Sequence, residues 1–266
     1  MIDVSVVVPV RNAEKMIGDC LDSIEAQQPR EIIVVDGNST DRTLEIARRH
    51  PVSILSDEGR GLPAARMLGA QAATARYVAL VDSDVILPSG TLERLCAELN
   101  ANGYDALQAG LESIAGPGYW GQALAHHHRS GRSKRWFGLV ATIFERETLL
   151  AHGFDESFSS GEDIELRWRL RRNSARAAVS DETIVLHRFG DGFSFALGQW
   201  LADGEGLGRM VRKHRLRGVP LLGLPLAASV RGIVLSVVRR QPQWVPYYLC
   251  YFLFNYVGIA RRLVRA

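Results

Sequence analysis

Cysteine is scarce in this chain of 266 residues. Cys20, Cys96 and Cys250 are widely spaced, odd in number and in no metal-ligand pattern. That argues against a disulfide framework or a thiolate zinc site, and it fits a reducing compartment. The N-terminus has no basic stretch followed by an apolar core, so no signal peptide is expected. Neither a Gly-x-Gly-x-x-Gly nor a Walker lysine loop stands where a phosphate-binding turn would need it, so phosphates would have to be held another way. Acidic residues are missing from the end of the chain. From Gly206 to Ala266 there are 11 Lys and Arg and no Asp or Glu, which leaves 21 basic and 29 acidic residues in the first 205. A basic, acid-free, apolar tail points to an anionic membrane surface. Nucleic acid is not expected, because the basic residues alternate with long apolar runs rather than polar ones.

What is present is globular: 47% hydrophobic and 23% charged. The length suits one large α/β domain, or one with an appendage. Val4 to Val8 reads as a buried strand, ended by Pro9. Arg11 to Glu14 opens an amphipathic helix with Ile17, Leu21 and Ile24 on one face. Strands follow at Glu31–Val35, Val52–Leu55 and Tyr77–Val81, with helices at Arg42–His50 and Leu62–Ala75. This alternation predicts a doubly wound, mostly parallel sheet, with ligands bound outside the carboxyl ends of its strands. Further on come a helix to about Asn100, strands at Leu107–Leu111 and Leu139–Phe144, and a helix from Arg146 to Ala151. Another helix opens at Gly161, and short strands follow at Ala177–Ser180 and Thr183–Leu186.

Asp82 and Asp84 stand at the end of the strand Tyr77–Val81. Two hard oxygen ligands there suit Mg²⁺ or Mn²⁺ holding a diphosphate, although Asp and Ser also form ordinary caps and turns. Glu162 and Asp163 fall in the first turn of a helix, where the dipole favours negative charge with or without a catalytic role. The triplet His126-His127-His128 does not share a helix face. It is expected in a solvated or acceptor-facing loop within Pro117 to Phe137.

Four segments in order resemble family 2 glycosyltransferases of the GT-A fold. They are Val6 to Asn12 with its Pro-x-x-Asn, Ile33 to Asp41, Ala64-Ala65-Arg66 to Asp84, and Phe154-Asp155-Glu156 to Glu162-Asp163. The resemblance covers about residues 3 to 190. It departs at Gly37, where the family often has a second aspartate, and at Met67, where it often has asparagine.

The resemblance implies transfer of a sugar, with inversion, from a nucleotide-diphosphate sugar (UDP by default) to a hydroxyl of a glycan or lipid-linked acceptor of the cell envelope. Pro9, Asn12, Asp36 and Asp57 would lie around the nucleoside, and Arg66 near the diphosphate. Asp82 would face the ribose or the metal, and Asp84 would bind the metal, with His187 a further ligand. Asp163 would be the general base, oriented by Glu162. The expected layout is a transferase domain over 1–205 and a basic apolar helical tail over 206–266.

In the tail, Val219 to Val238 is interrupted by Arg231 and two prolines, and Trp244 to Ile259 is short for a span. Two helices lying in or re-entering the interface are expected, on the cytoplasmic face of the cell membrane. The alternative is a soluble cytoplasmic protein whose tail forms a helical subdomain or a homodimer interface. Two other functions compete. A nucleotidyltransferase would carry a Gly-rich basic loop after the first strand, where Pro9-Val10-Arg11-Asn12 stands. A non-catalytic scaffold would have lost carboxylates, but Asp82, Asp84 and Asp163 are all present.

Overall fold

The computed structural model describes residues 1–130 and 137–264. The chain forms two compact units. One comprises Met1–Glu112, Lys134–Ser157 and Asp163–Arg188; the other comprises Ser113–Ser133, Phe158–Glu162 and Phe189–Ala266.

The first unit is built on a sheet. Its elements begin β1 (Ile2–Val10), α1 (Ile17–Glu25), β2 (Pro29–Asp36), α2 (Thr43–Ala47), β3 (Ser53–Ser56), α3 (Leu62–Ala72) and β4 (Tyr77–Val81). They continue β5 (Val85–Ile86), α4 (Thr91–Asn102) and β6 (Ala106–Ala115). After α5 (Tyr119–Ser130) of the second unit come β7 (Ala141–Glu145), α6 (Arg146–His152), α7 (Glu162–Arg172) and β8 (Ala177–Phe189). The strand order is β3-β2-β1-β4-β7-β6-β8-β5. The β1 to β4 half is parallel and doubly wound, as expected. β7 then pairs antiparallel with β4 and β6, and β8 with β5.

β1 is apolar without alternation because both its faces are covered. Val4, Val6 and Val8 point into one core with Ile17, Leu21 and Ile24 of α1. Val7 points into the other, with Ile33, Val35 and Leu80 from neighbouring strands and Leu166 and Leu170 of α7. α3 lies so close to the sheet that a Cβ on Gly69 would come within 2.3 Å of Val7 Cγ1. Its small residues Ala64, Ala65, Gly69 and Ala70 permit that approach.

The second unit is helical. α5 joins α8 (Phe193–His214), α9 (Leu224–Val238) and α10 (Val245–Val264), with 3-10 turns at Arg215–Arg217, Val219–Gly223 and Pro242–Trp244. Its core is aromatic: Trp200 stacks on Phe254 with ring centroids 5.9 Å apart and lies edge-on to Tyr247 at 5.4 Å.

Several sequence expectations need correction. α1 begins at Ile17, not Arg11, because Asn12 takes a left-handed backbone (φ 52°) and its side-chain oxygen accepts the Thr40 N–H instead of capping a helix. α5 occupies most of the stretch expected as a solvated loop. His126 stacks on Trp244 at 4.8 Å, and His127 lies among Tyr247, Tyr248 and Tyr251 at 5.7, 5.6 and 5.0 Å. Residues 131–136, also within that expectation, lie outside the described residues. The two short strands expected after Ala177 are one strand, β8.

Candidate active site

The carboxyl ends of β1, β2 and β4 carry the polar residues that the sequence singled out. Pro9 is buried at the end of β1, next to Val35 in register. Beyond it, Asn12 is fixed to the loop after β2: Ser39 Oγ accepts its N–H at 3.0 Å, and its own Oδ1 accepts from Thr40 N at 2.8 Å. Asp36 ends β2 in a buried position, and both its carboxylate oxygens accept the Ser39 N–H at 3.2 Å. Asp57 is also buried. It shapes the Gly59–Gly61 loop, accepting from Gly59 N at 2.8 Å and Gly61 N at 2.9 Å. A Cβ on Gly37 would sit 3.6 Å from Asp57 Oδ1 and 3.5 Å from Val10 O, an ordinary contact distance. The backbone there would accept a Cβ without a clash.

β4 leads directly into the Asp82 to Asp84 turn, closed by Val85 N donating to Asp82 O at 3.1 Å. Arg66 of α3, 1% exposed, donates from Nη2 to Asp82 Oδ1 at 2.8 Å. Burial raises the Asp82 carboxyl above its ordinary range. Arg66 opposes that rise and the Asp84 charge adds to it, while 26% of the Asp82 side chain still meets solvent. On the other side of the turn, β8 brings His187 into register with Val85, and its Nε2 lies 3.3 Å from Asp84 Oδ2. Burial alone would lower the His187 pKa; the hydrogen bond and charge of Asp84 outweigh it and raise it. Asp84 Oδ1 is buried with no hydrogen-bond partner among the described residues. Burial needs such an oxygen to find a partner.

The structure thus brings Arg66, Asp82, Asp84 and His187 together, and separately links Asn12 with the loop that follows Asp36. Sequence reasoning missed Arg188. Its guanidinium donates to Asp19 Oδ2 and to Met16 O, both at 2.7 Å, and so ties β8 to the start of α1. Nothing local in the sequence signals that pairing across more than 160 positions.

Glu162 and Asp163 open α7. Glu162 is buried and belongs to the helical unit; Asp163 is partly exposed and belongs to the sheet unit. α7 is held by the buried Glu165, which accepts from Arg169 Nε at 2.7 Å, while the Arg169 guanidinium also donates to the carbonyls of His152 and Gly153. The i,i+4 spacing of the pair could be read from sequence; its carbonyl partners could not. Among the described residues, no group of three or more His, Cys, Asp or Glu side chains is placed to hold a metal ion.

The family model for glycosyl transferase family 2 matches residues 5–155, more than half of the chain. The chain belongs to glycosyl transferase family 2. It is thus a member of a family of transferase enzymes. Among curated relatives of this family 2 member, it is 28% identical over 223 residues to the uncharacterized glycosyltransferase EpsJ of Bacillus subtilis, covering 70% of this chain and 60% of that one. It is 27% identical over 229 residues to the succinoglycan biosynthesis protein ExoA of Rhizobium meliloti, covering 78% and 69%. The chain therefore spans roughly three fifths to two thirds of their length.

Solved structures share the fold. The mannosyltransferase PcManGT of Pyrobaculum calidifontis, in complex with GDP-Man and Mn²⁺, superposes with a TM-score of 0.67 at 19% identity, covering 97% of this chain and 86% of that one. TarS of Staphylococcus aureus, in complex with UDP-GlcNAc, gives 0.60 at 18% identity, covering 98% and 89%. The GT-A architecture expected from the sequence is thus the observed one.

Proposed function

We propose that this family 2 member transfers a sugar, with inversion, from a nucleoside-diphosphate sugar to a hydroxyl group, and that a divalent metal assists. UDP is the first donor to try, and Mn²⁺ or Mg²⁺ the metal. The observation that carries the reading is the turn at the end of β4, where Arg66–Asp82 and Asp84–His187 pairs flank a buried, unpartnered Asp84 oxygen.

The donor set fits the metal. Asp84 and His187 would hold it, and the diphosphate and water would complete its shell, as is usual for cations that bind through few protein ligands. Bound there, the ion would neutralise charge on the departing diphosphate. The chain's own residues do the rest. Arg66 offers a fixed, permanently charged guanidinium beside the turn. Pro9, Asn12, Asp36 and Asp57 define a rigid edge for the nucleoside. Asp163 takes the proton of the attacking hydroxyl as that hydroxyl acidifies during bond formation, and Glu162 orients it.

The acceptor in this reading is a glycan or lipid-linked hydroxyl near a membrane. The enzyme works at the cytoplasmic face, residues 206–266 touch anionic lipid, and residues 1–205 perform transfer. This last is a division of function, not of chain contacts.

Calorimetric titration with UDP, GDP and dTDP, with and without Mn²⁺, tests the donor. One nucleotide is expected to bind in a metal-dependent way; no binding to any of the three would overturn the reading. Asp163→Asn is expected to abolish transfer with donor affinity kept within about twofold, a limit small beside the tenfold that ~1.4 kcal/mol represents. Loss of donor binding in that variant would remove Asp163 from the role of base.

A further inference from the structure

Helix α9 is inside out. The residues it buries are Pro225, Ser229, Gly232 and Ser236, spaced to form one stripe. They are small enough that a Cβ on Gly232 would come within 2.1 Å of the Tyr248 ring. The residues it exposes are apolar: Leu226, Val230, Val234, Val237 and Val238 are between 48% and 72% exposed. A surface helix in water places these two classes the other way round. Small residues inward and branched aliphatics outward is how helices pack when the solvent is lipid. α10, which packs beside α9, buries larger residues (Tyr247, Tyr248 and Ile259) but likewise turns apolar side chains outward, with Leu249, Phe252 and Leu253 exposed.

Charge frames this face. Arg215 and Arg217 are exposed in the turn before α9, and Arg239 and Arg240 immediately after it. Arg231 lies exposed in mid-helix, its guanidinium donating to Ser130 O at 2.7 Å. The stretch Val219–Val238 is long and apolar enough to cross a membrane by length and composition. Its first five residues form a 3-10 turn, however, so the α-helix has 15 residues. At 1.5 Å per residue that is about 22 Å, short of the roughly 30 Å hydrocarbon core. Arginines at both ends and in the middle are placed for a helix lying in one leaflet boundary, with guanidinium groups among lipid phosphates.

We infer that the exposed stripes of α9 and α10 form an in-plane membrane-binding face, whose partner is the anionic surface of a lipid bilayer. This rests on the reading of residues 206–266 given above and not on the donor chemistry. The helices bury their aliphatic stripes at the acyl boundary, and the flanking arginines select negative headgroups. The membrane is held from one side, not crossed.

Co-sedimentation of the full chain with phosphatidylcholine vesicles, and with vesicles in which about a third of the lipid is phosphatidylglycerol, tests this, since basic residues near a membrane are drawn to anionic lipid. Partitioning is expected to be at least tenfold stronger on the anionic vesicles. The double variants Val230→Glu/Val234→Glu and Arg239→Glu/Arg240→Glu should each reduce it at least tenfold, with unchanged far-ultraviolet circular dichroism and unchanged nucleotide titration. Equal partitioning on both vesicle types would overturn the inference. So would variants that partition like wild type, or a stable dimer in sedimentation equilibrium that the valine variant dissociates. High salt should weaken partitioning without abolishing it, and alkaline carbonate should release the chain; retention in carbonate would overturn the in-plane placement. Donor binding is read separately, so its failure leaves this result standing.

Discussion

His127 shows what one buried side chain does to the helical unit. Desolvation, with help from the charges of Arg231 and His126, lowers its pKa from 6.5 to about 4. Tyr247, Tyr248 and Tyr251 of α10 surround the ring and offer no negative charge to hold a proton. In the unfolded chain the same imidazole titrates near its ordinary value of about 6.5. Below that pH the unfolded state binds a proton that the folded state refuses. The stabilisation is therefore complete above about pH 6.5 and is lost as pH falls toward 4. At about 1.4 kcal/mol per pH unit the full loss approaches ~3 kcal/mol. Thermal melts at pH 7.5 and 4.5 should differ less in His127→Phe than in wild type. An unchanged difference would mean that another group governs the acid sensitivity.

α8 meets its neighbours at close quarters. Gly204, Gly206 and Gly208 fall on alternate positions and serve two neighbours. Cβ atoms on Gly204 and Gly208 would run into Asn255 O at 2.1 Å and the Arg262 side chain at 2.9 Å on α10. A Cβ on Gly206 would lie 3.0 Å from Gly161 N and Cα. Gly161 has a positive φ of 79°, and the turn it ends, anchored by Arg209 Nη1 donating to Ser160 Oγ at 2.8 Å, leads into Glu162. Gly206→Val should therefore cost about 1–3 kcal/mol by overpacking against backbone, measured by urea unfolding. A change below the error of that measurement would show that the turn yields.

The same elements show where sequence reading stopped. β4 and its two aspartates were legible, because a five-residue apolar run ending in carboxylates reads as a buried strand with polar residues at its carboxyl end. α5 was not, because its histidines find their tyrosine neighbours on α10, over a hundred positions away. α9 could be recognised as apolar, but not which of its faces is turned outward. That depended on Tyr248 meeting Gly232.

Across the whole molecule, charge and apolar surface are segregated by sequence. The first 205 residues hold every carboxylate side chain, and the last 61 have none. The exposed aliphatic residues of α9 and α10 lie in the acid-free part. Without a membrane, a surface of that kind drives open-ended aggregation rather than a defined dimer. Light scattering in aqueous buffer should therefore rise with protein concentration and fall once a mild detergent exceeds its micellar threshold. A monodisperse monomer at all concentrations without detergent would contradict an exposed apolar face on α9 and α10.

The contact between Asp84 and His187 joins β5, a two-residue edge strand, to β8, the last strand of the sheet. A ribosome that has just placed Asp84 must add about a hundred more residues before His187 exists. At about 5–20 residues per second that takes roughly 5–20 s. For that interval the growing chain carries the β4 turn, with Arg66 already available, but lacks the histidine that faces Asp84. The order of synthesis thus postpones completion of this site until the sheet has received its final strand.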